Sequence, residues 1–396
     1  MTSDFQSMRR IATMVFVTCS AVLASCGGSS NPTPMPVTTA FGATLFGAQE
    51  VNTVTTPAVG FGSLSLVEDA GNSTNTLSGS ITTVGLAATA AHIHSPGAGG
   101  VNAPVLIGLT ESPVGSGVWS VPAATTMTSA QVASLKAGDM YFNAHSTANP
   151  SGEIRGQIGR DVRTAVLAGA QEAPANASTA TGKGVVIVDP ATRAMSASVT
   201  TTGVAGTAAH IHEEVVGVSG AVVFPLTQTA AASGIWTGSA TLTEAQYTAL
   251  KSGRFYFNVH SAAFAAGEIR GQIGPVFGTA AMTGAAEVPP NASTATGTGV
   301  IVVDPVTLAV SVGMKTVGVV GGNVAHVHGP AASGVNAPAI VPLTQSATIA
   351  GNWSAASGTV LTSAQLASLI AGNLYFNAHS LPTYPGGEVR GQIGLK

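Results

Sequence analysis

Residues 141–158 read YFNAHSTANPSGEIRGQI, and close copies of this stretch recur at residues 256–273 and 375–393. The copies lie about 117 residues apart, which is too long for a solenoid unit and close to the size of one globular domain. Apolar and polar side chains alternate within each copy, and this alternation is typical of β-strands. The sequence therefore predicts three tandem domains built mainly from β-strands.

All nine histidines of the chain belong to a pattern that repeats around this stretch. An H-x-H pair precedes each YFNxHS stretch, which contributes one further histidine. The three sets are His92, His94 and His145; His210, His212 and His260; and His326, His328 and His379. Because successive side chains of a strand point to opposite faces, the two imidazoles of each H-x-H pair share a face. We expect the polar face of these strands on the outward or rim side of a sheet, away from the core.

The repeats also predict the domain boundaries, at residues 41–160, 161–275 and 276–396. Each domain opens with a related phrase, LFGAQEV, LAGAQEA or MTGAAEV, and closes with G-E-[IV]-R-G-Q-I-G. The linkers between these phrases are only a few residues long, so we expect the domains to lie close together.

Composition and local signals predict an all-β fold, with three tandem β-sandwich-like domains that each contain one short helix. Thr128 is a suitable N-terminal cap and Gly138 a suitable C-terminal stop for this helix, and the pattern returns at residues 243–253 and 362–372. One tryptophan per domain is expected as a core anchor. Charged residues make up 8% of the chain and the net charge is −3, which argues against nucleic acid as a partner.

The first forty residues resemble an export signal followed by a linker. Two arginines precede an apolar run that ends in Leu-Ala-Ser-Cys, a sequence similar to the bacterial lipobox, in which the cysteine carries lipid. We therefore predict a lipoprotein signal peptide over residues 1–26 that ends at the lipidated Cys26, and a flexible tether over residues 27–40. The mature protein is then exported and lipid-anchored to the membrane, facing the periplasm or the cell surface.

The ordered motifs resemble those of the CHRD domain family, which is named for chordin and is widespread in exported bacterial proteins. They are the opening phrase, H-[IV]-H, a short helix with the pattern AQxxxL, YFNxHS and GE[IV]RGQ, and they cover nearly all of the chain after the tether. The resemblance implies a β-sandwich-like extracellular domain without a settled activity for bacterial members. One departure is the first opening loop, EVNTVTTPAVG, which lacks the paired prolines of EVPPNASTATG in the third repeat.

The sequence supports two hypotheses for function. In the first, the chain is a lipid-anchored binding or adhesion module, with a surface protein or a glycan as ligand and no catalysis. Tandem copies would then add avidity. The sequence contains no evident nucleophile–base pair or phosphate loop, so we expect no enzymatic activity under this first hypothesis.

In the alternative hypothesis, each domain binds one metal ion through its three histidines, for up to three copper or zinc ions per chain. Three imidazoles with an open fourth position suit either metal, in a metal buffer or a metalloenzyme. Glu153, Glu268 and Glu388 are candidates for a fourth ligand or for orienting residues. The competing structural interpretation is that the histidines hydrogen-bond loop carbonyls and bind no metal.

Overall fold

The computed structural model describes residues 35–396, which form three β-rich domains with one short α-helix each. This confirms the predicted fold class. The predicted signal peptide and Cys26 lie outside the described residues. The first strand begins at Val37, within the segment predicted as a tether, because the chain there already pairs with the second strand, Val37 opposite Glu68.

Each domain has the same succession of elements. The first domain contains β1 (Val37–Phe46), β2 (Val59–Asp69), β3 (Thr74–Val84), β4 (Ala88–His94), β5 (Val105–Gly108), β6 (Thr110–Glu111), β7 (Val118–Ser120), α1 (Ser129–Ala137), β8 (Tyr141–Ser146) and β9 (Ile154–Gln157). The second contains β10 (Asp161–Ala168), β11 (Thr181–Val188), β12 (Ala194–Thr202), β13 (Gly206–Glu213), β14 (Ala221–Gln228), β15 (Ile235–Thr241), α2 (Glu244–Lys251), β16 (Phe255–Ser261) and β17 (Ile269–Gln272). The third contains β18 (Val276–Thr283), β19 (Thr296–Val303), β20 (Val310–Val317), β21 (Gly322–His328), β22 (Ala339–Gln345), β23 (Asn352–Ser354), α3 (Ser363–Ile370), β24 (Tyr375–Ser380), β25 (Tyr384–Gln392) and β26 (Gly394–Leu395).

The strands of the second domain close into one antiparallel barrel with the order β10-β11-β12-β15-β14-β13-β16-β17. The third domain follows the same order and closes through the pairing of β18 with β19. In the first domain the two ends of the sheet are β5 and β6. Only Leu109 separates these strands in the chain, and its N–H donates to the carbonyl of Ala91 in β4. The sandwich-like domains are thus continuous or nearly continuous sheets that wrap around a core.

The core of each domain is built from the apolar faces of the repeated strands. Phe142 and Ile93 are fully buried in the first domain, and Phe257 and Ile211 occupy the equivalent places in the second. The three tryptophans are buried in these cores, as the sequence predicts: Trp119, Trp236 and Trp353 are 7%, 4% and 1% exposed.

The predicted helix lies in the predicted place in all three domains. The Thr128 hydroxyl accepts from the N–H of Gln131, and the Gln131 side chain accepts from the N–H of Thr128, which satisfies two N–H groups at the start of α1. Gly138 ends the helix with a positive φ of 78°. Within residues 35–396, no helix has the length and the apolar character that are needed to span a membrane.

The domains contact one another closely. An apolar cluster joins the first and third domains, with Phe46 and Phe277 at a ring-centroid distance of 5.7 Å. Arg163, in the first strand of the second domain, is fully buried. Its guanidinium donates to Asp161 of the same strand and to the backbone carbonyl of Lys396 at the end of the third domain. The short linkers therefore produce packed domains.

Candidate metal centre

Two adjacent antiparallel strands bring three histidines together in each domain. In the first domain β4 carries His92 and His94, and β8 carries His145. The register sets His92 opposite Asn143 and His94 opposite Tyr141, with an irregularity beside His145. The same pairing joins β13 to β16 and β21 to β24. Three imidazoles therefore meet on the polar face of the sheet, as the alternation predicts.

One nitrogen of each ring faces the other two in every triad, and these atoms all lie within 4.8 Å of one another. The three triads are His92, His94 and His145; His210, His212 and His260; and His326, His328 and His379. Nδ1 of the first histidine lies at hydrogen-bond distance from Nε2 of the third, at 3.0 Å in the first domain and 3.2 Å in the second. With metal–nitrogen bonds of about 2.0–2.1 Å, these separations correspond to an N–metal–N angle of about 90–105°.

Backbone carbonyls decide which nitrogen of the second and third rings is free. Nδ1 of His94 lies 2.8 Å from the carbonyl oxygen of Ala103, and Nδ1 of His145 lies 3.1 Å from that of Pro150. Because a carbonyl oxygen only accepts, each Nδ1 must carry the proton, so each Nε2 presents a lone pair. Equivalent carbonyls belong to Gly220, Ala265, Ala337 and Pro385 in the other two domains.

Several of the facing nitrogens are buried without a hydrogen-bond partner. Nε2 of the second histidine is unpartnered in all three domains, in His94, His212 and His328. In the third domain Nδ1 of His326 and Nε2 of His379 are unpartnered as well. A buried acceptor without a partner costs about 1–3 kcal/mol, and a metal ion bound to the lone pairs would remove this cost. The donor set thus fits a metal ion.

Burial favours the neutral form of the imidazoles of the first domain, which is the form that binds metal. In the first domain, desolvation lowers the pKa of His92, His94 and His145 below its usual 6.5. The effect is largest at His328, where burial lowers the pKa to about 4 although a hydrogen bond to Ala337 opposes the shift.

A tyrosine and an arginine support the second histidine of each triad. The rings of His94 and Tyr141 stack at 4.8 Å with an interplanar angle of 5°, and the Tyr141 hydroxyl accepts from the N–H of Ala103. The Arg155 guanidinium carbon lies 3.5 Å from the centre of the same tyrosine ring. Tyr256 with Arg270, and Tyr375 with Arg390, repeat this arrangement beside His212 and His328. The tyrosine thus anchors the residue whose carbonyl fixes the histidine tautomer.

The polar face lies outside the core, as predicted, yet it is more deeply buried than an outward or rim position implies. Arg155 and Gln157 are each only 1% exposed. The loop after β4 covers them, because Arg155 donates to the carbonyl of Ala98 and Gln157 donates to that of Gly97. The face is therefore an enclosed polar layer between sheet and loop.

The three candidate glutamates lie in other contacts. Glu153 accepts from the hydroxyls of Thr56 and Ser146, and Glu268 and Glu388 accept from Ser178 and Ser293 at 2.8 and 2.7 Å. The triads of ligating atoms consist of histidines alone. The structure brings all nine predicted histidines into the triads and places these glutamates where they pin the opening loop to the last strand of the barrel.

A second set of glutamates, which the sequence reasoning did not single out, lies beside the triads. Glu50 belongs to the opening phrase of the first domain, and the Asn143 amide donates towards its carboxyl group at 3.5 Å. Burial raises the pKa of Glu50 to about 7, against the lowering effect of Arg155. Glu172 and Glu287 show the same shift. The only signal in the sequence is the glutamate that all three opening phrases share.

The glycine that opens each G-E-[IV]-R motif makes room for the glutamate of the opening phrase. Gly152 has a φ of +129°, and a Cβ atom there would lie 2.6 Å from the Asn143 side-chain oxygen and 2.8 Å from Glu50. Gly267 and Gly387 occupy equivalent positions in the other two domains, at φ +136° and +132°. A side chain is excluded there by both space and backbone conformation.

Fold and site define a chain of three β-rich domains, each with a wrapped sheet and a triad of histidines on two neighbouring strands. Comparison with known families adds that the CHRD domain matches residues 41–158, 163–273 and 278–393. The chain belongs to the CHRD family. A search of curated proteins and a search of solved structures each found no match.

Proposed function

We propose that this chain is a metal-binding protein that holds up to three copper or zinc ions, one in each CHRD domain. The observation that carries the proposal is the convergence of one ring nitrogen from each of three histidines, repeated in all three domains. The carbonyl partners of His94 and His145 support it, because they hold the proton on Nδ1 and leave both Nε2 atoms unprotonated.

The surroundings of the triad support metal binding over a purely structural role. A structural histidine uses its polar atoms in hydrogen bonds, whereas Nε2 of His94, His212 and His328 is buried without a partner. The second nitrogen of these rings is already held by a backbone carbonyl, which is the usual arrangement for a metal-ligating histidine. Three separate sites in one chain suit a buffer or carrier of metal.

We place this activity outside the cytoplasm. The lipobox-like sequence at Cys26 supports an exported protein that is anchored to the membrane through lipid, and the three domains would then present their sites to the periplasm or the cell surface. Such an anchor would hold the metal-binding domains near the membrane.

Elemental analysis of the purified chain after mild dialysis tests the proposal. We expect up to three copper or zinc ions per chain. The variant His210→Ala with His212→Ala should lose one ion and keep the other two. Glu268→Gln is the matched control, because it alters the same domain outside the triad and should keep full occupancy. A chain that takes up neither metal, with melting unaffected by chelator, would refute the proposal.

A binding or adhesion module is the second candidate. The observation that favours it is a group of exposed valines on the loop between β13 and β14: Val215, Val216 and Val218 are 45%, 43% and 46% exposed. A ligand-binding function on this loop does not need metal. Replacing the three valines with serine should abolish adhesion to a surface protein or glycan and leave metal content unchanged, whereas loss of the triads should do the reverse.

A further inference from the structure

Each triad has a buried arginine near it whose charge lacks a close partner. Arg155, Arg270 and Arg390 are 1–2% exposed. Among the described residues, none of the three has a carboxylate within 4.0 Å, whereas the buried Arg163 pairs with Asp161 at 3.0 Å. An unpaired buried cation is costly, so its presence in all three domains calls for a role.

The hydrogen bonds of these arginines leave their positive charge in place. Arg390 donates to the side-chain oxygen of Asn336 and to the carbonyl of Val335, at 2.9 and 2.7 Å. Both acceptors are neutral. The guanidinium lies 3.6 Å from the centre of the Tyr375 ring, and the same ring stacks on His328 at 5.0 Å. The Tyr375 ring therefore lies between the positive charge of Arg390 and His328 of the triad.

The nearest acidic group offsets this charge only in part. The carboxyl group of Glu287 interacts electrostatically with Arg390. Burial raises the pKa of Glu287 to about 7, so this group is only about half ionised at neutral pH. Only the Tyr375 ring separates the Arg390 guanidinium from His328, so the positive charge lies close to the site. In the second domain Glu214 also faces Arg270, so the third domain is the simpler case.

We propose that the buried arginine beside each triad makes the site selective for the monovalent ion Cu(I) over divalent Zn(II) and Cu(II). The inference rests on the proposed metal-binding function and names the ion. Imidazole ligands suit both copper and zinc, so ligand type alone does not choose between them. The three ligands are neutral, so the charge of the ion is uncompensated, and repulsion from the arginine acts twice as strongly on a dication as on a monocation.

The size of the effect follows from Coulomb's law. At a separation of about 10 Å and an effective dielectric constant of about 20, one extra unit of metal charge is disfavoured roughly tenfold in affinity. The arginine should therefore weaken Zn(II) binding about tenfold more than Cu(I) binding.

The test uses the full chain with only the third site intact, through His92→Ala, His94→Ala, His210→Ala and His212→Ala. Affinities for Cu(I) and Zn(II) are measured without oxygen, by competition with a chromogenic Cu(I) chelator and a zinc indicator. Arg390→Gln should lower the ratio of Cu(I) to Zn(II) affinity about tenfold. Arg390→Lys, which keeps the charge, should lower it much less. Arg155→Gln is the matched control, because it makes the same change beside a disabled triad and should leave the ratio unchanged.

A second variant covers the case in which Arg390→Gln does not fold. Glu287→Gln removes the negative charge that offsets Arg390, so at pH 8 the preference for Cu(I) should increase. An unchanged ratio in Arg390→Gln, or an unchanged or lower ratio in Glu287→Gln, would overturn the inference while metal binding itself stands. Failure of every ion to bind would overturn the proposed function, and the inference with it.

Discussion

Acidification should release metal from the third domain less readily than ordinary histidine ligands would allow. The relevant chain has only the third triad intact, and the perturbation is a shift from pH 7.5 to pH 5.5. At pH 5.5 an imidazole of pKa 6.5 is neutral in about one molecule in eleven, so each such ligand weakens binding about tenfold and three weaken it about a thousandfold.

The structure reduces this penalty. Burial lowers the pKa of His328 to about 4, so this ligand remains almost entirely neutral at pH 5.5 and contributes almost no loss. Burial also lowers the pKa of His326, which reduces the loss further. The lowered pKa values mean that protons compete with metal only at lower pH. We therefore expect the affinity to fall about a hundredfold or less.

Equilibrium dialysis against buffered zinc at both pH values, followed by elemental analysis, measures the change. The same chain with His328→Ala is the control and should bind weakly at both pH values. A loss of a thousandfold or more in the parent chain would refute the reasoning, because the ligands would then titrate as exposed imidazoles. Circular dichroism at pH 5.5 separates metal release from unfolding.

Four further predictions concern the fold and the anchor. Gly267→Ala should destabilise the protein by about 2 kcal/mol or more, because its Cβ would lie 2.6 Å from the Asn258 side-chain oxygen at φ +136°; an unchanged melting temperature would contradict this. Burial raises the pKa of Glu287 above its unfolded value, to about 7, so the stability contributed by its neutral form is lost as pH rises through 7. Glu287→Gln should accordingly raise the free energy of unfolding by about 1–2 kcal/mol at pH 8, after allowance for solvent screening, and leave it unchanged at pH 4. Urea unfolding measures both values, and equal effects at the two pH values would refute the predicted sign. Residues 161–275 expressed alone should melt cooperatively with a β-rich circular dichroism spectrum, and a chain that is unfolded under conditions where the full protein folds would argue against independent domains. Cys26→Ser should move the protein from the membrane fraction to the soluble extracytoplasmic fraction, and retention in the membrane would exclude lipid at this position.

Much of the fold follows from local rules that act within a few residues. Strand alternation places His92 and His94 on one face and Ile93 on the other, and the structure has them so. The cap at Thr128 and the stop at Gly138 set the limits of α1 by hydrogen bonds and backbone conformation that are readable in the sequence. These features need no knowledge of distant parts of the chain.

The surroundings of the site depend on contacts that local rules do not provide. Arg155 is buried beneath the loop after β4, where its guanidinium donates to the carbonyl of Ala98. The path of that loop follows no periodic pattern in the sequence. Glu50 reaches Asn143 across 93 positions of the chain, and the pairing of β1 with β9 and of β9 with β8 brings them together. Glu153 was a candidate ligand because it repeats with the histidines, yet the repetition reflects its hydroxyl partners as well.

The contact between Phe46 and Phe277 gives the first and third domains an apolar interface, so the three copies are not interchangeable. At the position of Phe46 in the opening phrase, the other copies carry Ala168 and Thr283. The three domains share their motifs, yet their outer surfaces differ at this position. Loss of the first or of the third domain would therefore remove the partner of the remaining phenylalanine and expose an apolar surface to water.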